Sequence, residues 1–561
     1  MKNDNSDVQS KSLTPQSIDT DVLVIGGGAA GCFAAFGADD AGMKALIVEK
    51  AGIRRSGNLA TGVDDAQFAK AGITCTEEYF VKSILDSAEG MFNPGLAKVL
   101  AHECYDRFLD LEKIGVKMRN DNGELNRFPN RHPGSFWFEG ADLKRRLTQE
   151  LHRRDIKILQ HTIAVRLMRA SDRISGAYCY NVRSGGAYVI RARSVILATG
   201  GSNRLYSMKG GAFLVQSCPA CSGDGISLAY HAGAELTGME FKSVRVAASN
   251  PRIIPALGTL IDAQVPVVDK EGQKITTTGH RADALSFTLI ERRKRGEGPL
   301  YWDFPSIPDE SREHFVKSAQ NERPICLKNL KGNGIDLSND RIEIAELEQE
   351  GIAPHLGGVV IDRDCRTSIE GLYAAGDTIA LAGTKGNSAL SAMTLGHRAG
   401  RSAAIYSRKV DHQDIAMHSV DEAGSLITRS LNSISGMKAI ELENRVKDLM
   451  TEYCGVEKCG KEMEAGLQHL ETLKDEKLPD IAADNPHEVM RSLELRNIFD
   501  VAEMHLKASL MRTESRLGLM HYRTDYPDQD DAHWQKIIIV KKTAEGRMEM
   551  EKTDFPWRRT E

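Results

Sequence analysis

A run of glycines near the start of the chain has the spacing of a phosphate-binding turn. Residues 21–50 read DVLVIGGGAAGCFAAFGADDAGMKALIVEK, with apolar runs on both sides of an alanine-rich stretch. Gly26 permits a tight turn, Gly28 lets the backbone approach a pyrophosphate, and Gly31 allows close packing of helix on strand. Glu49 follows about 20 residues later, where a carboxylate suits ribose hydroxyls. The segment predicts a strand, helix and strand that bind a dinucleotide.

Three later segments indicate which dinucleotide. Residues 194–201 (SVILATGG) and 371–377 (GLYAAGD) read as buried strands with glycine or aspartate ends, and 387–400 (NSALSAMTLGHRAG) reads as a helix. These segments resemble the FAD-binding fold of flavoproteins with two dinucleotide-binding domains. The resemblance implies that Asp377 holds the ribitol and that the helix N-terminus faces the flavin pyrimidine. We therefore expect FAD and an α/β, Rossmann-like fold.

A narrower resemblance is carried by residues 54–57 (RRSG), 222–235 (SGDGISLAYHAGAE), 277–284 (TTGHRADA) and 514–534. They are similar to segments of the succinate dehydrogenase and fumarate reductase flavoprotein superfamily. Within it, the chain most resembles the alpha subunits of adenylylsulfate reductases, because its tail has their spacing between Glu-x-Arg and RTDYP.

The resemblance implies a divided FAD domain and a separate lid. The FAD domain would comprise residues 18–205 and 356–412, with an α+β capping domain at 206–355 inserted between them. Residues 413–508 would form a helical domain and 509–561 a C-terminal extension. Asn485, Pro486 and Glu488 supply an N-cap, a first-turn proline and a capping-box acid for a late helix.

Cofactor contacts follow from matching these motifs position by position. In members with covalent FAD a histidine follows the loop serine, whereas Gly57 stands there in this chain. We therefore expect non-covalent FAD. The expected cofactor-binding residues are Gly26, Gly28, Ala29, Ala30, Gly31, Glu49, Lys50, Ser56, Gly57, Asn58, Thr199, Gly200, Asp224, Gly376, Asp377, Asn387, Ser388 and Leu390.

The substrate segments depart from the family pattern. Asn250-Pro251-Arg252 stands where fumarate reductases begin with His-Pro-Thr, and Asp262-Ala263 replaces their Thr-Glu pair. The arginine-containing loop before the last flavin helix has become Gly383-Thr384-Lys385-Gly386. Succinate and fumarate are therefore not expected as substrates. One pocket arginine of adenylylsulfate reductase falls on Ser249, for which Arg245 or Arg252 is a possible replacement.

Arg281 stands at a position where the family also has an arginine. In fumarate reductases its counterpart delivers a proton opposite flavin N5, and in adenylylsulfate reductase it binds the substrate anion. A guanidinium suits both roles, because it stays cationic and its planar donors fit carboxylate, sulfate or phosphate; the alternative is a surface arginine. His355 precedes Gly357-Gly358 as a pocket histidine does, the alternative being a buried, hydrogen-bonded ring. The expected catalytic residues are Arg281, His355, Arg252 and Asn250. Glu139 and Trp137 align more loosely with pocket positions.

The cysteines do not read as a cluster or metal site. An iron–sulfur cluster needs four ligands, usually in a tight run, and none exists here. Cys218 and Cys221 form the single CxxC; they are either a redox dithiol near the flavin or, as we expect, two ordinary thiols.

Charge and hydropathy exclude other classes. The 561 residues carry a net charge of −5, which argues against nucleic-acid binding. No apolar run is long enough to span a membrane, and the polar N-terminus lacks an export signal, so we expect a cytoplasmic protein. The resemblance implies a small anionic substrate and, as electron carrier, a separate, ferredoxin-like iron–sulfur subunit. Three hypotheses follow: a flavoprotein like that of adenylylsulfate reductase, an ene-reductase or dehydrogenase acting on a non-dicarboxylate, and, disfavoured, a flavin-containing binding protein.

Overall fold

The computed structural model describes residues 14–128, 131–207, 218–248, 250–251, 253, 255, 257–275, 282–382, 388–433 and 436–555. The predicted Arg281, Arg252 and Asn387, together with Ser249, lie outside the described residues.

The first third of the chain forms most of one large sheet and its covering helices. The elements are β1 (Gln16–Ile25), α1 (Ala29–Asp40), β2 (Ala45–Glu49), β3 (Asp65–Gln67), α2 (Glu77–Ser87), α3 (Pro94–Lys113), β4 (Ser135–Trp137), α4 (Leu143–Arg153), β5 (Lys157–Gln160), β6 (Thr162–Ala170), β7 (Arg173–Asn181) and β8 (Ala187–Leu197).

The middle of the chain contributes a second sheet with helices around it. The elements are α5 (Asp224–His231), β9 (Leu236–Thr237), β10 (Lys242–Ala248), α6 (Leu257–Asp262), β11 (Val267–Val268), α7 (Ala282–Lys294), β12 (Leu300–Trp302), α8 (Asp309–Glu322), α9 (Pro324–Gly332) and β13 (Ile342–Ile352).

The last part returns to the large sheet and then becomes mainly helical. The elements are β14 (Gly358–Val359), β15 (Leu372–Ala374), α10 (Ser388–Ser407), α11 (Met417–Asn432), α12 (Ala439–Tyr453), α13 (Gly460–Glu476), α14 (Pro486–Met511), α15 (Asp531–Trp534), β16 (Ile537–Lys542) and β17 (Met548–Thr553).

The large sheet has the order β5-β2-β1-β8-β7-β6, and β15 also pairs with β8. Strands β5, β2, β1, β8 and β15 run parallel, whereas β6, β7 and β8 form an antiparallel meander. The short strand β2 is buried along its whole length, as expected of a parallel strand covered on both faces. Helices α1 and α10 lie so close together that a Cβ on Gly37 or on Gly400 would collide with the backbone of the other helix. The predicted Rossmann-like α/β fold is confirmed.

A separate antiparallel sheet, β10-β13-β12-β11, carries its own hydrophobic core with Trp302, Phe304 and Phe315 at its centre. This sheet falls within the range predicted for the capping domain. Helix α5 falls in the same range but packs against β6 and α14. The domain boundaries stay a prediction.

Helices α12, α13 and α14 pack on one another in the C-terminal part. Helix α14 begins as the sequence indicated: Pro486 is its first residue, and Asn485 Oδ1 accepts the Glu488 N–H at 3.0 Å. Within the described part of the chain, we find no helix that combines the length and apolarity needed to cross a bilayer.

The tail motif that contributed to the resemblance has a structural role. Glu514 accepts hydrogen bonds from both Arg512 and Arg516 at 2.7 Å, and Arg512 also reaches Glu240 at 2.8 Å. All four side chains are almost fully buried. The extension is therefore fixed to the start of the second sheet by charge-assisted bonds.

Candidate functional site

The carboxyl ends of β1, β2, β8 and β15 surround a partly open cavity. Ligands of open α/β sheets bind at this edge. Most of the predicted cofactor residues line the cavity: Gly26, Gly28, Ala29, Ala30, Glu49, Lys50, Ser56, Gly57, Asn58, Thr199, Gly200, Asp224, Gly376 and Asp377. Gly31 and Leu390 do not line it but are buried behind it.

The glycine turn is built so that only one of the three motif glycines faces open space. A Cβ on Gly26, whose φ is +104°, would lie 2.3 Å from the Ala198 carbonyl oxygen, and one on Gly31 would lie 1.8 Å from the Gly26 oxygen. A Cβ on Gly28 would meet nothing closer than the Gly57 Cα, at 3.8 Å. Gly28 is also the N-cap of α1. Helix N-termini present unpaired N–H groups and a partial positive charge, so this opening fits a pyrophosphate.

Glu49 is buried beside the turn and orders it. Its carboxylate accepts the Gly27 N–H at 2.6 Å and the Ala51 N–H at 2.7 Å. Each carboxylate oxygen keeps acceptor capacity for a ribose hydroxyl. The donor set at this end of the cavity therefore fits the ribose and pyrophosphate of a dinucleotide.

Lys144 contacts the glycine turn, although no sequence motif indicates it. It lies in α4, is 3% exposed, and its Nζ donates to the Gly27 carbonyl oxygen at 2.5 Å and contacts Cys32 Sγ at 3.5 Å. The ammonium places a positive charge directly beneath the turn. In an amphipathic, arginine-rich helix, one lysine among several cations carries no signal that distinguishes it.

Lys50 and Asp224 line the cavity, but their charges are directed at each other. Lys50 Nζ lies 2.7 Å from Asp224 Oδ2 and 2.7 Å from Glu494 on α14. Asp224 also accepts hydrogen bonds from the Ser222 hydroxyl and the Asn497 side-chain amide. Lys50 lowers the pKa of both carboxyls, against the opposing effect of their burial. Through its ion pair with Glu494, Lys50 links α14 to the end of β2 at the cavity wall.

The end of β15 meets the flavin loop (residues 54–62), which lies beside the glycine turn, since a Cβ on Gly28 would lie 3.8 Å from the Gly57 Cα. Gly57 has φ +74°, and Asn58 Nδ2 donates to Asp377 Oδ2 at 3.1 Å. His355 is 7% exposed, and its Nε2 lies 3.3 Å from Asp377 Oδ1. Neither His355 ring nitrogen makes a hydrogen bond within the described residues. The fold thus brings Asn58, Asp377 and His355 together, as motif matching predicted separately for each.

The other predicted substrate groups lie elsewhere or outside the description. Asn250 is exposed. Arg245 donates to Glu350 at 2.8 Å. Glu139 is exposed and faces Lys117, while Trp137 lies under Lys317 Nζ. The loose alignment of Glu139 and Trp137 with pocket positions therefore gains no support from their places in the fold.

A cluster of carboxylates and arginines joins helices α6 and α8 to β3 and to the loop that carries Arg131. Asp65 Oδ2 lies 3.0 Å from Arg131 Nη1, and Arg131 Nη2 lies 2.5 Å from Asp262 Oδ2 on α6. Burial, opposed by Arg131, raises the pKa of Asp65 to about 7. The charged groups that face Asp65 are Asp64, Asp262, Glu322, Arg131 and Arg323.

From the raised pKa of Asp65, we predict that the contact of α6 and α8 with this cluster becomes weaker as pH rises. The folded pKa of Asp65 lies above its ordinary value, so its stabilising contribution is complete in acid and is lost as pH rises through about 7. We expect amide exchange in α6 and α8, corrected for intrinsic rate, to be faster at pH 8 than at pH 6. Asp65→Asn should flatten this difference and Asp86→Asn, at an exposed pair, should keep it. Equal wild-type protection at both pH values would contradict the prediction.

Comparisons with known proteins also indicate that the cavity binds FAD. A family model described as FAD binding domain matches residues 21–395, and one described as fumarate reductase flavoprotein C-term matches 443–559. A fumarate reductase (CoM/CoB) chain of Methanothermobacter marburgensis is 25% identical over 562 residues, covering 94% of this chain and 97% of that protein. L-aspartate oxidase of Streptomyces coelicolor is 24% identical over 594 residues, covering 96% and 94%.

Solved structures show the same fold. Adenylylsulfate reductase from Archaeoglobus fulgidus superposes with a TM-score of 0.87 at 20% identity, covering 97% of each chain. The quinol fumarate reductase FrdA of E. coli gives a TM-score of 0.83 at 20% identity, covering 96% of this chain and 97% of that one. The chain therefore belongs to the FAD-binding fumarate reductase and succinate dehydrogenase flavoprotein superfamily and is an FAD-dependent oxidoreductase.

Proposed function

We propose that this chain is the flavoprotein subunit of an adenylylsulfate-reductase-like enzyme. It would exchange electrons between non-covalent FAD and a small anionic substrate, with a separate iron–sulfur protein as electron carrier. The observation that carries the proposal is the cavity itself. The glycine turn, Glu49 and Asp377 line it together, and His355 Nε2 lies 3.3 Å from Asp377 Oδ1.

The residues divide the work between binding and chemistry. When bound, FAD supplies the hydride and electron transfer, and the protein supplies orientation and electrostatics. Gly28 and the α1 N-terminus would hold the pyrophosphate, Glu49 the adenosine ribose and Asp377 the ribitol. Asn58 fixes Asp377 through the 3.1 Å bond, which keeps this carboxylate directed into the cavity. His355, whose Nε2 lies 3.3 Å from Asp377 Oδ1, would hold a substrate group or move a proton there.

An anionic substrate is supported by the names of the relatives and by Arg281. The similar proteins are named for fumarate, aspartate, succinate and adenylylsulfate, and one solved structure is a complex with sulfite. All are small anions, for which a guanidinium is a suitable partner. The iron–sulfur carrier is supported by the resemblance to adenylylsulfate reductase. The second candidate is an ene-reductase or dehydrogenase acting on a non-dicarboxylate, and it is favoured by Ser249, which stands where adenylylsulfate reductase has a pocket arginine.

Arg281 provides a direct test of the substrate site. We expect Arg281→Lys to lower turnover roughly 100-fold, because a lysine lacks the planar fork that binds an oxyanion at two points. FAD content should stay at the wild-type level. Arg295→Lys is the matched control, since Arg295 is exposed and pairs with Glu297. Turnover near wild type for Arg281→Lys would remove this residue from the mechanism.

The substrate itself can be found by following the flavin absorbance. Oxidised enzyme would be mixed with sulfite plus AMP, and reduced enzyme with fumarate or with a panel of enoates lacking a second carboxylate. Bleaching only by sulfite plus AMP supports the adenylylsulfate-like function, and reoxidation only by enoates supports the second candidate. A reduced two-cluster ferredoxin should bleach the oxidised flavin, and failure to do so would contradict the proposed carrier.

A further inference from the structure

The cavity wall contains two cysteines in one short turn. Cys218 and Cys221 both line the cavity, and both are free thiols. Four other cysteines, Cys32, Cys104, Cys179 and Cys365, are buried away from it, and burial raises the pKa of each thiol. Buried apolar thiols of that kind are unreactive. The CxxC pair differs from them in place and in surroundings.

The turn that carries the pair is held by hydrogen bonds at both ends. The Cys221 N–H donates to the Cys218 carbonyl at 3.0 Å, which closes the turn. Asn203 binds both cysteine carbonyls, with its side chain at 3.1 Å from Cys218 O and its N–H at 2.8 Å from Cys221 O. Asn58, from the flavin loop, accepts the Cys218 N–H at 2.6 Å. The backbone of the two cysteines is therefore fixed relative to the flavin loop.

Both cysteines adjoin residues that motif matching assigns to the FAD site. The Cys218 N–H donates to Asn58, the neighbour of Gly57, and Gly57 is the loop position at which relatives with covalent FAD carry histidine. A Cβ on Gly200, just after β8, would lie 2.7 Å from Cys221 Sγ. The pair therefore lies at the wall of the proposed FAD site.

The pair is also polarised as a reactive dithiol requires. The Cys221 S–H donates to Cys218, and the backbone N–H groups of Ala220 and Gly57 add to this effect, so the pKa of Cys218 falls to about 6. The same hydrogen bond raises the pKa of Cys221. The lowered pKa of Cys218 beside the raised pKa of Cys221 is the asymmetry found in redox-active CxxC pairs.

We propose that Cys218 and Cys221 form a redox dithiol that exchanges two electrons with the bound FAD. This inference rests on the proposed function, in which FAD occupies the cavity. Oxidation joins the two sulfurs in a disulfide and releases two electrons, together with the proton of Cys221 and any proton on Cys218. Oxidised FAD takes up both electrons and the protons needed for its two-electron-reduced form. Each chain would then store two electron pairs between substrate and carrier.

Anaerobic reductive titration of the holoenzyme measures how many electrons each chain takes up per FAD. Wild type should take up about four electrons per FAD, and Cys218→Ser and Cys221→Ser about two. Cys75→Ser is the matched control, since Cys75 does not line the cavity, and it should keep the wild-type value. Differential alkylation and mass analysis of the peptide covering residues 210–242, which contains only these two cysteines, should show a disulfide in the oxidised protein and two thiols after reduction.

The outcomes separate this inference from the proposed function. Protein that binds FAD but takes up only about two electrons per flavin, with both thiols alkylated in the oxidised state, would overturn the dithiol and leave the proposed function intact. Flavin attached covalently to the 210–242 peptide would also overturn it. Protein that binds no FAD would overturn the proposed function itself.

Discussion

Replacing Gly28 by alanine is expected to weaken FAD binding strongly while leaving the fold intact. The added Cβ has open space around it in the protein, and φ at this position is −69°, which alanine adopts freely. The same Cβ would occupy the place where the pyrophosphate must approach the backbone. Overpacking of this kind costs about 1–3 kcal/mol, so we expect FAD affinity to fall about 10- to 100-fold.

FAD affinity by fluorescence titration and the thermal midpoint of the apoprotein test this prediction together. Gly332→Ala is the control, because Gly332 also has open space but lies in α9, away from the cavity. Gly26→Ala should behave differently and destabilise the apoprotein, since its Cβ collides with backbone. Unchanged FAD affinity in Gly28→Ala would mean that the cofactor does not approach this turn.

Replacing Glu494 by alanine is expected to lower the free energy of unfolding by about 3 kcal/mol. Its carboxylate, 2% exposed, joins Lys50 at 2.7 Å and Arg204 at 2.5 Å. Removing it leaves buried cations with one partner fewer, and desolvated charges are costly when their partner is removed. Because Lys50 lines the cavity, FAD content should fall as well.

Urea denaturation of the apoprotein gives the stability change, and Asp86→Ala gives the scale for an ordinary ion pair. Asp86 pairs with Lys82 at the surface, where the loss should be under about 1 kcal/mol. The folded pKa of Glu494 is lowered, so its contribution is complete at neutral pH and is lost in acid. A Glu494→Ala protein as stable as Asp86→Ala would show that the buried network adds nothing.

The sequence predicts the parts of this molecule that depend on local patterns. The spacing of Gly26, Gly28 and Gly31 specifies the turn because each glycine has its own steric reason, and the structure gives each that reason. Asn485 and Pro486 define the start of α14 because capping uses only neighbouring residues. Motifs of the superfamily likewise predict that Asn58, Asp377 and His355 belong to the site.

Contacts between distant segments could not be read in this way. Lys50 and Glu494 lie in different parts of the chain, and neither has a local pattern that indicates the other. Lys144 belongs to a helix whose charges look solvent-exposed until the fold brings it under the turn. The CxxC motif alone predicts two ordinary thiols, because the hydrogen bond from the Cys218 N–H to Asn58 exists only in the folded chain.

The central claim, that FAD binds this cavity without a covalent bond, is tested most directly by acid denaturation of the purified holoprotein. The protein should be yellow, and after precipitation all of its flavin should remain in the supernatant as intact FAD, because Gly57 offers no imidazole to the flavin. Flavin that stays in the pellet, or protein that is colourless and takes up no FAD on incubation, would contradict it.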